Sequence, residues 1–213
     1  MSPPNAAQTA RERARAELTR EIRQEARRQL AEAGANGLSL RAVARELGMV
    51  SSALYRYYPS RDDLLTALII DAYNAIGAAA EAAAEAGAAR AGTGAGPPAR
   101  ETWAAACRAI RAWAVANPHE YALIYGSPVA GYRAPEATIG PASRVPLAFA
   151  AILEDAVASA SVPADMLVRA TIAWTQLFGM ISFELFGQFV GSFEPADAFF
   201  DYAVAQLAAF VGL

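Results

Sequence analysis

Hydroxyl and guanidinium groups cluster in one short stretch of this chain. Ser51 and Ser52 open the stretch, and Tyr55 and Arg61 follow. Small polar groups at the start of a helix can reach the edges of DNA bases in the major groove. A phenolic hydroxyl and a guanidinium beside them can hydrogen-bond to phosphate oxygens, which fixes orientation without reading sequence. These residues therefore predict a surface that binds double-stranded DNA.

Two short helices joined by a glycine turn are predicted to position these groups. The first follows from an apolar stripe at the spacing of one helical face, formed by Leu40, Val43, Ala44 and Leu47. Ser39 is a suitable N-cap for it, and Gly48 is suitable to end it. Ser51 then opens a second helix, in which Leu54 points back to the first. The polar side chains that point away are Ser52, Tyr55 and Arg56. This asymmetry is typical of a helix-turn-helix.

A third helix is predicted to follow at once. Pro59 closes the second helix, and Ser60 can cap the next one. The first turn of that helix would hold Asp62 and Asp63, where the helix dipole favours negative charge. The helix is expected to continue to the glycine- and proline-rich segment 87–99, which we expect to form a mobile loop.

A long N-terminal helix is predicted from about Thr9 to Ala33. Its apolar side is formed by Leu18, Ile22, Ala26 and Leu30, and arginines and glutamates occupy the other side. Three early arginines, Arg11, Arg13 and Arg15, allow two interpretations. They form either a solvated charged face or a basic arm that follows the DNA backbone.

The segments quoted above resemble the N-terminal domain of the tetracycline-repressor (TetR) family. The resemblance lies in LYRYYPSRDDLL at residues 54–65, preceded by AVA at 42–44 and LGMV at 47–50, and covers about the first third of the chain. It implies a regulator that binds DNA through this helix-turn-helix. We expect residues 1–60 to form the DNA-binding domain. Residues 61–213 are expected to form a larger helical domain that binds an effector and dimerises.

The resemblance also implies roles for individual positions. In that family the residues matching Tyr55 and Arg61 touch phosphates, and the residue matching Arg41 approaches the DNA. Tyr57 stands where many relatives have histidine, and Ala53 where many have threonine or glycine, so these two positions bear on which operator is read. Family positions that face the groove are matched by Ser51, Ser52 and Tyr57. The complete set of candidate DNA-binding residues is Arg41, Ser51, Ser52, Tyr55, Arg56, Tyr57 and Arg61.

The composition bounds the class of protein. The chain has 213 residues, is 55% hydrophobic and has a mean hydropathy of +0.20, which excludes a disordered protein. No unbroken apolar run reaches the roughly 18 residues of a membrane span. The N-terminal residues are polar and alanine-rich, so we expect a cytoplasmic protein with no signal peptide and no membrane partner.

Few residues suit metal or enzyme chemistry. One cysteine, Cys107, and one histidine, His119, predict neither an internal disulfide nor a structural zinc site. The sequence has no glycine-rich phosphate loop, nucleophile elbow or paired histidine ligands. We therefore expect a protein that is not an enzyme and that needs no metal or cofactor.

The net charge of −3 is unevenly divided. Residues 1–70 carry 11 arginines against 8 aspartates and glutamates, whereas residues 71–213 carry 7 against 13. The basic end is the predicted DNA-binding end, and this modest excess is consistent with DNA binding.

The rest of the chain reads as further helices, which predicts an all-α fold of about nine helices in total. They are expected at 100–116, 118–125, 138–160, 163–190 and from about 195 to the C-terminus. A second, weaker resemblance links Trp113, Asn117, Pro118, Tyr121 and the segment 174–179 to one subclass of tetracycline-repressor-like ligand domains. Many of these have histidine where Phe178 stands, so the resemblance implies an apolar pocket.

Aromatic and soft side chains on these helices could surround a cavity for a small hydrophobic effector. The same spacing is typical of a plain core, and the pattern alone leaves both interpretations open. The candidate pocket residues are Trp103, Trp113, Tyr121, Tyr125, Trp174, Phe178 and Met180.

The last two predicted helices each carry two apolar stripes. One stripe can line the core, while the other would be exposed in a monomer, which is unfavourable at about 25 cal/mol per Å². We therefore expect a dimer held by a four-helix bundle. Its predicted interface residues are Phe183, Phe186, Val190, Phe199 and Phe210.

These patterns together predict a ligand-responsive repressor of the TetR type. It would bind a palindromic operator as a homodimer, because two recognition helices related by a twofold axis meet successive major grooves. A small hydrophobic effector would release it. The alternative that stays open is a helical DNA-binding dimer with no small-molecule response.

Overall fold

The chain folds into α-helices joined by turns, which confirms the all-α fold class. The computed structural model describes residues 6–91, 99–159, 165–193 and 196–213. Within these ranges there are nine α-helices, one 3-10 turn at Glu136–Thr138 and no strand. The helices are α1 (Ala6–Gly37), α2 (Leu40–Glu46), α3 (Ser51–Leu54), α4 (Arg61–Ala91), α5 (Ala99–Ala116), α6 (Pro118–Tyr125), α7 (Ile139–Ser159), α8 (Met166–Leu185) and α9 (Ala196–Val211).

The helices belong to two compact units. Unit 1 comprises Met1–Asp71 and Ser127–Pro135, and unit 2 comprises Ala72–Gly126 and Glu136–Leu213. The division therefore falls inside α4, about ten residues beyond the predicted boundary at residue 60. The first turns of α4 belong with unit 1 because their apolar side chains are buried there.

The core of unit 1 combines one face of each helix. α2 packs against both α1 and α3. The stripes predicted on α1 and α2 are largely the faces that are buried, because helical spacing places them on one side. The buried apolar residues are Ile22, Ala26, Leu30, Leu38, Leu40, Val43, Ala44, Leu54, Tyr58, Leu64, Leu65, Leu68 and Ile69.

Two polar links reinforce unit 1. Arg23 and Arg27 of α1 bind the carboxylate of Asp71 in α4, with N···O distances of 2.8 and 2.7 Å. The segment 127–135 is held by a hydrogen bond of 2.9 Å between Thr66 Oγ1 and Tyr132 Oη. Unit 1 is thus assembled from two separate stretches of sequence.

Helix α5 is the centre of unit 2. It packs against α6, α7, α8 and α9, and its Trp103, Cys107 and Ile110 are at most 1% exposed. The predicted core stripes of α8 and α9 are mostly buried, as Ile181 and Val204 at 0% exposure show. Burial raises the pKa of the Cys107 thiol well above its usual range, which keeps it protonated.

Arg111 on α5 ties three helices of unit 2 together. Its guanidinium donates two hydrogen bonds of 2.7 Å to Glu184 of α8 and one of 2.7 Å to Asp197 of α9. The hydrogen bonds that Arg111 donates to these carboxylates raise its pKa, the bonds to Glu184 most. Arg108, a residue on the same helix, pairs with Asp201 at 2.7 Å. Arg108 and Glu184 thus have structural partners in unit 2.

The predicted loop at 87–99 begins later than the sequence indicates. Helix α4 continues through Gly87 to Ala91, and residues 92–98 lie outside the described ranges. Two causes favour the longer helix. Alanine, which dominates this stretch, has the highest helix propensity. Gly87 also packs so tightly that a Cβ there would lie 2.3 Å from Thr102 Oγ1. Gly87 is therefore a packing residue of α4.

Helix α8 is shorter than predicted, so the placement of Phe186 and Val190 on a helix is wrong. It ends at Leu185, and Gly187 follows with φ of 76°. The Gly187 N–H donates to Glu184 O at 3.2 Å and the Gln188 N–H to Phe183 O at 2.8 Å, which is the Schellman pattern of helix termination. Val190 lies in the turn that follows. The predicted start at Pro163 lies outside the described ranges.

Two helices, α4 and α8, are long and apolar enough to cross a membrane by length and composition alone. The sequence prediction counted unbroken apolar runs, whereas these windows tolerate polar residues. Core helices pass the same test, and both helices bury residues here, such as Ile76 in α4 and Leu177 in α8. Packing accounts for their hydropathy only in part, because 44% of the apolar window of α4 and 28% of that of α8 is buried.

Candidate nucleic-acid interface

The turn between α2 and α3 forms as the sequence predicts. The Ser39 hydroxyl accepts a hydrogen bond from the Ala42 N–H at 3.4 Å and caps α2. Gly48 ends α2 with φ of 64°, a conformation that costs glycine little. Helix α3 is only four residues long, and its Leu54 is 0% exposed. The predicted recognition helix is therefore shorter than expected: it ends at Leu54 and not at Pro59, and Tyr55, Arg56 and Tyr57 lie in the turn that follows.

The start of α4 is fixed by a reciprocal pair of hydrogen bonds. The Ser60 Oγ accepts from the Asp63 N–H at 3.1 Å, and the Asp63 carboxylate accepts from the Ser60 N–H at 2.9 Å. This arrangement is a capping box, with aspartate in the position that glutamate more often takes. It confirms Ser60 as the N-cap and holds the neighbouring Arg61 at a defined place.

One concave surface brings together the predicted phosphate-binding residues. This clamp pocket, of about 450 Å³, is lined by Leu38, Ser39, Leu40, Arg41, Tyr55, Pro59, Ser60 and Arg61. The N-terminal ends of both α2 and α4 open onto it, and helix N-termini favour anions. Two guanidiniums, a phenol and two helix dipoles can therefore act on one phosphate group or on two neighbouring ones.

Arg61 also has partners inside unit 1 that the sequence does not reveal. Its Nε donates to Leu38 O at 3.1 Å and its Nη2 to Ala35 O at 2.6 Å, both at the end of α1. Its Nη1 lies 3.4 Å from an Asp62 oxygen. Arg61 thus holds the end of α1 in place while it lines the clamp pocket.

The residues predicted to face the groove differ in exposure. Ser52 and Arg56 are exposed, whereas Ser51 and Tyr57 are half-buried. Val50, directly before α3, is 71% exposed and is a residue that the sequence analysis missed. An exposed valine beside a recognition helix can contact the methyl group of thymine, and its place in the turn before two serines was the available signal.

Tyr58, next to Tyr57, is a core residue and not a base reader. It is 7% exposed, and its hydroxyl accepts a hydrogen bond of 2.8 Å from Arg23 Nε. This bond and the Arg23–Asp71 pair connect the end of α3 to α1 and α4. The chain after α3 is therefore held firmly.

Four of the seven candidate pocket residues of unit 2, Tyr121, Tyr125, Trp174 and Phe178, form an aromatic cluster, and Trp103 packs on Phe149 instead. Phe178 lies 4.2 Å from Tyr125 and 5.3 Å from Trp174 between ring centroids. The Tyr121 hydroxyl donates to Phe178 O at 3.0 Å and lies 2.9 Å from Ser182 Oγ. Burial raises the pKa of Tyr121 to about 12, so this hydroxyl stays protonated at neutral pH.

Two indole groups in this region are unusual. The Nε1 atoms of Trp103 and Trp174 are buried and find no hydrogen-bond acceptor among the described residues. Trp103 packs on Phe149 at 4.6 Å between centroids, and Trp113 and Met180 are half-buried beside the core. A buried N–H without an acceptor costs about 1–3 kcal/mol. A guest with an acceptor oxygen would remove that cost.

A separate concavity of about 400 Å³ in unit 2 has a different lining. Its charged residues are Arg90, Glu101, Arg108, Asp201 and Arg100, and the others are small. None of the aromatic candidates lines it. The described unit 2 thus has a concavity with several charged lining residues, apart from the aromatic cluster.

The second stripes of α8 and α9 are exposed in the single chain. Phe183 is 54% exposed and Phe210 is 40% exposed, while Phe199 is half-buried. Phe186 and Val190, in the turn between the helices, are 48% and 81% exposed. Further exposed apolar residues of these helices that were missed from the sequence are Val168, Ile172 and Tyr202, which helical spacing places on the same sides as Phe183 and Phe199. The surface, here called the α8–α9 face, is large and unpartnered.

No group of three or more histidine, cysteine, aspartate or glutamate residues is placed to hold a metal ion, as far as the described ranges extend. His119 is exposed at the start of α6.

Two family models match this chain. Residues 22–68 match bacterial regulatory proteins of the tetR family, and residues 103–207 match the tetracyclin repressor-like C-terminal domain. The first match contains the clamp pocket, and the second contains the aromatic cluster.

Individual proteins resemble the chain over most of its length. The HTH-type transcriptional regulator Rv1816 of Mycobacterium tuberculosis is 38% identical, covering 83% of this chain and 84% of that protein. The regulator Mb1846 of Mycobacterium bovis has the same identity and coverage. The structure of the regulatory protein SCO4313 has a TM-score of 0.71 at 34% identity and covers 97% of this chain and 98% of its own. A protein of unknown function from Rhodococcus sp. RHA1 has a TM-score of 0.73 at 27% identity, over 91% of this chain and 93% of its own.

Proposed function

This chain belongs to the TetR family of bacterial regulatory proteins, and from that premise we propose that it is a ligand-responsive repressor. It binds a palindromic operator as a homodimer and leaves the operator when a small hydrophobic effector occupies unit 2. As a regulator of transcription it acts in the cytoplasm, where its double-stranded DNA partner is found.

The observation that carries the DNA-binding part is the clamp pocket. Arg41, Tyr55 and Arg61 come from three different places in the sequence and line one concave surface. A phosphate seated there would meet charge-assisted donors and the positive ends of two helices. Ser52, Arg56 and the exposed Val50 would then face the bases of the adjoining groove.

The α8–α9 face supports the homodimer. Leaving so many large apolar side chains in water is unfavourable, and a second copy would cover them with an identical face. α8 and α9 pack against each other, so two protomers would form a four-helix bundle. Two recognition helices related by the twofold axis reach successive major grooves roughly 34–36 Å apart.

The aromatic cluster and its indole groups support the effector response. An apolar compound with an acceptor oxygen could occupy space beside Trp174 and satisfy its buried N–H. The effector must bind one conformation more tightly than the other if it is to change DNA affinity. We propose that it shifts α4, which runs from unit 1 into unit 2, and so changes the spacing of the two recognition helices.

The DNA-binding proposal is tested by selection of duplexes from a random library, followed by titration of the selected duplex at several salt concentrations. Arg41→Ala and Tyr55→Phe should weaken binding to selected and random duplexes alike, by roughly 10-fold for Arg41→Ala. Arg41→Ala should also reduce the salt slope by about one. Arg133→Ala removes an exposed arginine of unit 1 outside the clamp pocket and serves as the control. Failure of the unmodified chain to prefer any duplex over random competitor would contradict the proposal.

The alternative is a DNA-binding dimer that lacks a small-molecule response. Fluorescence of Trp103, Trp113 and Trp174, titrated with a panel of hydrophobic compounds, separates the two. An effector should change the emission and also release the selected duplex. If no compound does both, the alternative replaces the ligand-responsive repressor.

A further inference from the structure

Arg15, in the N-terminal part of α1, contacts a residue that we expect to face the DNA groove. Its guanidinium carbon lies 5.6 Å from the centroid of the Tyr57 ring, a cation–π arrangement. Arg15 is exposed and Tyr57 is half-buried. The ring of Tyr57, in the turn after α3, is thus covered on one side by a charged group from α1.

Arg15 differs from the arginines that follow it on α1. Arg20 pairs with Glu17, Arg23 with Asp71 and Arg28 with Glu25. Arg27 also binds Asp71. Arg15 has no carboxylate within ion-pair distance among the residues that the structure describes, so the tyrosine ring is its observed partner. Its positive charge remains available to an external anion.

A stacked guanidinium keeps its hydrogen-bonding capacity. The N–H donors of arginine point outward in the plane of the group, while the faces of that plane are free to stack on a ring. Arg15 also lines an open groove of about 480 Å³ together with Glu12, Ala16, Thr19, Arg20, Arg23, Arg27 and Asp71. The groove leaves room for a backbone phosphate beside Arg15.

We propose that Arg15 is a positioning residue for DNA recognition. Its guanidinium holds the Tyr57 ring in place to face the groove of the DNA, and its in-plane N–H groups donate hydrogen bonds to a phosphate of the DNA backbone. Arg15 and Tyr57 then act as one unit, outside the clamp pocket. The inference rests on the proposed DNA-binding function and adds to it a third contact region contributed by α1.

A double-mutant cycle on the selected duplex and on a random-sequence duplex tests the inference. Arg15→Ala should weaken binding to the random duplex by roughly 3-fold and to the selected duplex by roughly 10-fold, and it should reduce the salt slope by about one. Arg15→Lys keeps the charge but stacks less well, so it should restore the salt slope and only part of the preference for the selected duplex. Arg13→Ala is the matched control, because it removes an exposed arginine of the same helix that contacts no ring within the described part of the chain.

The coupling to Tyr57 decides between a positioning role and a purely electrostatic one. Tyr57→Leu removes the ring. In that background, adding Arg15→Ala should reduce the affinity for the selected duplex less than Arg15→Ala reduces it in the unmodified chain. Tyr57→Phe keeps the ring and should keep the full effect of Arg15→Ala. Equal losses for Arg13→Ala and Arg15→Ala, or strict additivity with Tyr57→Leu, would overturn the inference while the DNA-binding function stands. Absence of duplex preference in the unmodified chain would instead overturn the proposed function, and this inference with it.

Discussion

The side chain of Arg61 has two roles, one in stabilising unit 1 and one in the clamp pocket. Its hydrogen bonds to Ala35 O and Leu38 O fix the end of α1, and its position in the clamp pocket places the same charge where a phosphate would bind. Bound phosphate would compete for some of its donors. An arginine can serve both because it has five N–H donors in a rigid fork.

The two roles of Arg61 can be measured separately. Arg61→Ala should lower the free energy of unfolding by about 1–2 kcal/mol, because two part-buried carbonyls lose their donor, and it should weaken DNA binding. Arg61→Lys keeps the charge without the fork, so we expect most of the salt dependence to remain while part of the stability is lost. Urea unfolding and duplex titration are the measurements. Unchanged duplex affinity of Arg61→Ala at moderate salt would show that the clamp assignment is wrong.

Residue roles are readable from sequence when the partner is close along the chain. The caps Ser39 and Ser60 are predicted correctly because each bonds to the residue three positions later. The second role of Arg61 is not readable, since its acceptors lie 23 and 26 residues away. The same holds for Arg15, whose ring partner Tyr57 lies in the turn after α3, 42 residues along the chain.

The helix termini show which element boundaries depend on a single residue. Gly187 ends α8 because its φ of 76° suits glycine and strains other residues. The turn that follows holds Phe189 and Phe193, whose rings pack at 5.6 Å between centroids. One glycine thus sets where the helix stops and where this group of rings begins.

Gly187→Ala should therefore destabilise the protein by about 1–2 kcal/mol. Gly140→Ala, at the start of α7, is the control. Gly140 is helical and has no neighbour within 4 Å of an added Cβ, so its replacement should be neutral or stabilising by up to about 1 kcal/mol. Thermal unfolding of both variants measures the difference. Equal effects would contradict the role of Gly187 as the α8 terminator.

Element existence is well predicted in this chain, whereas element ends are not. The periodicity of apolar residues identifies the helices because each buries one face. This periodicity does not show that the helix continues through Gly87. Glycine is found at position 87 because Thr102 lies too close to leave room for a Cβ. A sequence shows only that a glycine is present, and does not distinguish a glycine that ends a helix from one that allows close packing.

At the scale of the whole molecule, the exposed apolar side chains of the α8–α9 face favour association with a second copy of the chain. Phe183→Asp should place a charge in the centre of the proposed interface and shift the protein from dimer to monomer at micromolar concentration. Operator binding should weaken with it, because one recognition helix reads too few bases. Leu147→Asp, at a 65% exposed position of α7, is the control and should leave the dimer intact.

Light scattering and sedimentation velocity report the oligomeric state, and duplex titration reports the second effect. A dimer that survives Phe183→Asp, or an unmodified chain that is monomeric at micromolar concentration, would show that the proposed interface is wrong. The exposed stripes are visible in the sequence. The surface that α8 and α9 form together is not, because the sequence does not show that these two helices pack against each other.

The two-stretch construction of unit 1 also governs how recombinant hybrids can be made. A fragment that stops at Asp71 omits Ser127–Pro135 and with it the Tyr132 hydroxyl that Thr66 contacts. Transferring unit 1 of this regulator to a relative therefore requires that both stretches of sequence be transferred together. In a hybrid joined at a single point after Asp71, the first stretch of unit 1 would come from this chain and the second from the relative.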